Sequence, residues 1–169
     1  MLDFRFTNEL NGKNFGATAT LLMQPRLWIP GSDYPDYPEW REQALSEIAA
    51  ERKRAMLAWW GREPVGSIIY QRHRKDPRQV EIKNISVEAR ARGRHIASFL
   101  LRQVECEALV DFPGSKAIIS DTKHTNTEML AFVVRNGYSL EPAVILESSF
   151  GHNGVGDVVF RKALGSQPD

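Results

Sequence analysis

Between Val80 and Val87 the apolar residues change phase: Val80 and Ile82 are even-numbered, whereas Ile85 and Val87 are odd. Side chains along a strand alternate with a period of two, so a flat strand would split these four between its faces. One extra residue near Lys83-Asn84 returns all four to one face. That is a β-bulge, which kinks a strand and frees backbone groups from its ladder. A strand covered on both faces accounts for the same pattern. From Arg94 the period becomes helical, with Ile96, Ala97, Leu100, Leu101, Val104 and Ala108 on one side and Ser98, Arg102 and Glu105 away from it. Pro113-Gly114 ends that unit.

The join between strand and helix is Arg90-Ala91-Arg92-Gly93-Arg94. The first amides of a helix have no internal partners, and the helix dipole favours negative charge there, so such a join is an anion site in outline. Arg90, Arg92 and Arg94 add cations. Gly93 lets backbone approach a bulky pyrophosphate. Taken alone, an arginine-rich turn before a helix is as consistent with a solvated loop.

The remaining elements follow from pattern and punctuation. Met1 to Phe6 reads as a first strand, Asn8 to Asn14 as a turn region, and Ile29 to Pro38 as an irregular loop. Pro38 and Glu39 suit a helix start, and Trp40, Ala44, Leu45 and Ile48 recur on one face up to about Ala50. Arg54 to Trp60 and Val65 to Tyr70 form a hairpin around Gly61-Arg62-Glu63-Pro64. Arg72 to Arg78, broken by Asp76-Pro77, is expected to be a solvated turn. Ala117 to Ser120 is a short strand, Thr125-Asn126-Thr127-Glu128 a capping box, and Asn136-Gly137 a helix end. Tyr138 to Leu146 and Asp157 to Leu164 read as final strands around a glycine-rich turn, Gly151 to Gly156. The order implies one α/β (α+β) sandwich and a single domain over residues 1–169.

Composition excludes several classes. With 22 Lys+Arg against 21 Asp+Glu, a net charge of +1 gives no global field for nucleic acid or an anionic membrane. No apolar run is long enough for a signal peptide or a span, so the cytoplasm is the expected location. The one cysteine, Cys106, is expected to be a small buried hydrophobe in a reducing compartment. His73, His95, His124 and His152 show no paired spacing, and no metal site is expected. Trp59 and Trp60 read as half core and half surface, with a substrate wall as the other reading.

The run from Glu81 to Ala97 resembles the acyl-CoA site of the GNAT superfamily of N-acetyltransferases. Arg90 to Arg94 fits that superfamily's Q/R-x-x-G-x-G/A loop, and His95 replaces its final small residue. Asn126 through Met129 and Phe132 to Asn136-Gly137-Tyr138 is similar to the family's second cofactor-side helix. The resemblance covers Arg54 to Leu164 and implies a mixed, mostly antiparallel sheet with a central bulged strand and helices on both faces. It implies acetyl-CoA as cosubstrate, held by the loop residues Arg92, Gly93, Arg94, His95 and Ala97, the backbone of Ile85 and Val87, and Asn126.

Glu81 lies six residues before Val87, as does the general base of the histone-acetylating branch, and is the candidate catalytic residue. A lysine-like amine, pKa about 10.4, must lose a proton before it attacks a thioester. Glu81 could instead be a strand carboxylate paired with Lys83. Val133 stands where many relatives place a tyrosine acid, leaving Tyr138, Tyr70 and Tyr34 as other hydroxyl donors. The implied activity is acetyl transfer to a primary amine of an unidentified acceptor, a homodimer being left open. A non-catalytic CoA-sensing or partner-binding module of the same fold is the alternative.

Overall fold

The computed structural model describes residues 4–7, 16, 36–142 and 156–165. Its strands are β1 (Phe4–Thr7), β2 (Arg54–Trp60), β3 (Glu63–Arg72), β4 (Gln79–Val87), β5 (Ala117–Lys123), β6 (Ser139–Leu140) and β7 (Asp157–Ala163). The helices that position the site are α1 (Tyr37–Ala49), α2 (Ile96–Asp111) and α3 (Thr127–Arg135). The strands form one sheet in the order β1-β2-β3-β4-β5-β7-β6. Every pairing is antiparallel except β4 with β5.

The bulge lies in β4. Asn84 pairs with Ile69 and Ile82 with Tyr70, so Lys83 is the extra residue. Val80, Ile82, Ile85 and Val87 consequently all pack into the cluster beneath α2 and α3. That choice rules out the strand covered on both faces. On the α2 side, Ile96, Leu100, Leu101, Val104 and Ala108 are buried, with Val133 and Tyr138 beside them. On the other face Trp40, Ala44 and Ile48 of α1 cover Ala55, Leu57, Trp59 and Ile69. Helices therefore sit on both faces.

Several sequence expectations shift. β5 continues past Ser120 to Lys123 because β7 pairs with it along its whole length, whereas β4 pairs with it only from Gln79 to Glu81. The cap of α3 is Asn126 and not Thr125: its Oδ1 accepts the Met129 N–H at 3.2 Å. Cys106 is exposed, since it falls off the stripe made by Leu100, Leu101, Val104 and Ala108. The basic run is spent internally: Arg78 meets Asp76 at 3.1 Å, Arg74 meets Glu47 at 3.1 Å, and Arg72 donates to the Pro77 carbonyl at 2.9 Å. Of the strand expected over Tyr138 to Leu146, the described part is β6, Ser139–Leu140; its residues 143–146, most of the turn expected at Gly151 to Gly156, Asn8 to Asn14 and Ile29 to Pro35 lie outside the described residues. No helix among the described residues is long and apolar enough to cross a membrane.

Candidate active site

β4 and β5 run parallel and are paired only at Gln79–Ala117, Val80–Ile118 and Glu81–Ile119. Past that point the β5-facing edge of β4 has no strand beside it among the described residues. The last tie is the Ser120 hydroxyl, which donates to the Ile82 carbonyl at 2.7 Å. Strand alternation then decides which groups face the gap. The Glu88 N–H donates to Val65 of β3, so the odd residues before it, Ile85 and Val87, turn their backbone groups away from β3 and towards the gap. Before the bulge the even Ile82 does so, so Lys83 switches the parity.

At the same end of the sheet the chain passes through Ala89–Ala91, a single 3₁₀ turn, to the start of α2. Of its arginines, Arg90 is not a free cation: its guanidinium is held by Glu88 at 2.6 Å and by Glu63. Arg92 donates to the Val87 carbonyl at 3.1 Å, and the Arg94 guanidinium lies 4.7 Å from the centre of the Trp60 ring. Gly93 has a φ of +73°, and a Cβ there would meet nothing within 4 Å, so the space beside its backbone is open. His95 is the N-cap with φ 61°, the left-handed region, and its side chain caps no amide. The first-turn amides of α2, including Ala97, thus lack a side-chain acceptor. This combination suits an elongated anion-bearing ligand: open backbone at Gly93, uncapped amides, and exposed Arg92 and Arg94.

Gly66, which the sequence reading passed over, sets where α2 begins. A Cβ at this position would lie 3.2 Å from the Ser86 carbonyl and 3.3 Å from Ile96 Cγ2, so the bare backbone lets the helix start close onto β3. An isolated glycine within a strand pattern is the signal that marks such an approach.

The face opposite α2 carries the charges. Glu81 accepts from Gln71 Nε2 at 2.8 Å and from Lys83 Nζ at 2.9 Å. Burial alone would raise its pKa, yet the charge and hydrogen bond of Lys83, with Gln71 and His73, hold it below the usual glutamate value. The alternative reading of Glu81, a pairing with Lys83, is thus present in the structure. By register, Asp121 and Lys123 of β5 share this face, as does Asp157 of β7. Asp157 pairs with Lys123 at 2.9 Å. Asp121 has no hydrogen bond or ion pair among the described residues. It is exposed on the surface, and desolvation pushes its carboxyl up, helped by Asp157 and Glu81 and opposed by Lys83 and Lys123. Among the described residues no three His, Cys, Asp or Glu side chains converge as a metal site.

The hydroxyls considered as acids lie elsewhere. Tyr70 donates to Asp111 at 2.7 Å and Tyr138 to Glu105 at 3.3 Å, and burial pushes both phenols far up, which makes them poor proton donors at neutral pH. Val133 is buried in the core. Tyr34 lies outside the described residues. Asn126 uses both ends of its amide, Oδ1 on Met129 and Nδ2 on Thr122 at 3.2 Å, and so ties β5 to α3.

The central parallel pair of this α/β sheet thus parts beside an uncapped, arginine-bearing helix start, leaving a free backbone edge next to a terminus that favours anions. The sequence profile described as Acetyltransferase (GNAT) family matches residues 19–138, and the chain belongs to that family. No curated protein matches it in sequence. In structure it is similar to an acetyltransferase of the GNAT family from Streptococcus pneumoniae, with TM-score 0.72, 14% identity, and 96% and 100% of the two chains covered. It is also similar to an aminoglycoside 6′-N-acetyltransferase complexed with coenzyme A, with TM-score 0.70, 18% identity, and 98% and 99% covered. A third is RimL, a ribosomal L7/L12 α-N-protein acetyltransferase in complex with coenzyme A, with TM-score 0.70, 14% identity, and 95% and 94% covered.

Proposed function

We propose that the chain, as one domain over residues 1–169, transfers an acetyl group from acetyl-CoA to a primary amine. The observation that carries this reading is the freed β4 edge at Ile85 and Val87 opening beside the uncapped start of α2. Family membership and the coenzyme A bound by structural neighbours support it. The residues fit acetyl-CoA. Gly93, His95 and Ala97 offer backbone to its pyrophosphate, Arg92 and Arg94 offer charge, and Ile85 and Val87 offer amides to the pantetheine arm. Asn126 contributes by fixing the α3 start at the gap.

Acetyl-CoA supplies an activated thioester; the chain supplies alignment and a place for the amine's proton. Glu81 is one carboxylate at the gap, and its bonds to Lys83 and Gln71 favour its holding the bulge. A thiol with an ordinary pKa near 8.5 departs as thiolate without strong acid help. Val133 in place of a hydroxyl favours the non-catalytic CoA-binding reading. Thiol release from acetyl-CoA with a panel of primary amines separates the two: CoA binding with no turnover of any amine would leave the binding module.

A further inference from the structure

We propose that Asp121, not Glu81, takes the proton from the acceptor amine, an inference that rests on the acetyl-transfer reading above. The carboxylates on this face of the gap differ in what they already hold. Glu81 is bonded to Gln71 and Lys83, and Asp157 is paired with Lys123. Asp121 has no bonded partner among the described residues. It stands on β5 two residues past Ile119, the last to pair with β4, on the same face as Glu81 and open to solvent. An amine entering from the α1 side towards the gap meets this carboxylate as an unengaged acceptor.

The groups facing Asp121 are Glu81 and Lys83 on β4, Asp157 on β7 and Lys123 on its own strand. The two acids are each offset by one of the lysines. Desolvation, joined by Asp157 and Glu81, outweighs Lys83 and Lys123 and moves the Asp121 carboxyl up, towards the amine pKa, while the Lys83 contact moves Glu81 down, away from it. In the step, the ammonium gives one proton to Asp121. The neutral nitrogen forms the C–N bond to the thioester carbon, the C–S bond breaks, and the second nitrogen proton goes to the departing thiolate or to solvent. Asp121 then returns its proton to solvent, so the sum is ammonium plus acetyl-CoA giving amide, CoA thiol and one proton. Glu81 acts as a positioning residue through Lys83.

The experiment compares Asp121→Asn with Glu81→Gln in the full chain, using acetyl-CoA with n-propylamine, spermidine and a tripeptide with a free amino terminus. Asp121→Asn is expected to lower kcat by about a hundredfold or more at pH 7 while CoA binding stays within about tenfold. The deficit shrinks as pH approaches the amine pKa, which a purely structural loss would not do. A carboxyl with a raised folded pKa costs the fold stability as pH rises through that value, so Asp121→Asn leaves the melting temperature equal or higher at pH 7. Glu81→Gln, removing a carboxylate with a depressed pKa, lowers it. Unchanged kcat in Asp121→Asn overturns the proposal. Carboxyl titration by NMR reads it without turnover: Asp121 above the ordinary aspartate range and Glu81 below the glutamate range support it, and the reverse order overturns it. Absence of CoA binding by the parent would instead overturn the function proposed above and, with it, the step assigned to Asp121, whereas CoA binding and turnover with unchanged kcat in Asp121→Asn overturn the assignment alone.

Discussion

His95 holds a backbone angle that glycine takes at little cost. A left-handed φ of 61° strains an L side chain by about 1–2 kcal/mol. Glycine would add back about 0.5–1 kcal/mol of unfolded-chain freedom. His95→Gly should therefore stabilise the fold by up to about 1 kcal/mol, read as a rise in urea midpoint at unchanged slope. CoA affinity should stay within about tenfold, or about 1.4 kcal/mol, because the loop shape is already that of a glycine. A far larger gain in affinity would show that the ring obstructs the ligand. The family's small residue at this place was readable in the sequence as a departure. The positive φ that explains the preference was not, because it is a property of the folded loop. Cys106 shows the opposite case: helical spacing already put it off the apolar stripe, and the general tendency of cysteine to be buried was the weaker guide. The pairing of Glu81 with Lys83 was open to the sequence, as opposite charges two residues apart, whereas the bond to Gln71, and the absence of any for Asp121 among the described residues, depend on register between strands and had no local signal.

Among the elements, β4 was the most legible, because a change of apolar phase has few causes and its position fixes the bulge within a residue or two. The hairpin of β2 and β3 and the amphipathic α2 were legible for the same reason. The short pairing of β4 with β5 was not, since nothing in Ala117 to Lys123 says where its partner leaves. Three outcomes are expected at this scale. Leu100→Ala, at the fully buried centre of α2, should cost about 2–5 kcal/mol in chemical denaturation. Gly66→Val should lift the start of α2 off β3, since the smaller Cβ alone would already press on Ser86 and Ile96. Its signature is weaker CoA binding together with lost stability, whereas Leu100→Ala should leave the binding constant nearly unchanged once folded. Asn126→Ala, which removes the α3 cap, should cost about 1 kcal/mol.

For the molecule as a whole, the two faces of the sheet divide the labour. The α2 side is a continuous apolar core that holds the loop and both helix starts, and the opposite face changes from apolar under α1 to charged at the gap. On the proposed function, the gap and the loop beside it form one CoA site. The direct measurement is titration of CoA into the purified chain and into Gly93→Glu, followed by calorimetry and by melting temperature. The parent should bind and, at a hundred times its dissociation constant, gain about 2.7 kcal/mol of stability. Gly93→Glu should lose binding, because it places a bulky anion in a left-handed position against the pyrophosphate. Millimolar CoA that leaves the parent's melting temperature unmoved, or binds Gly93→Glu as tightly as the parent, would contradict the account.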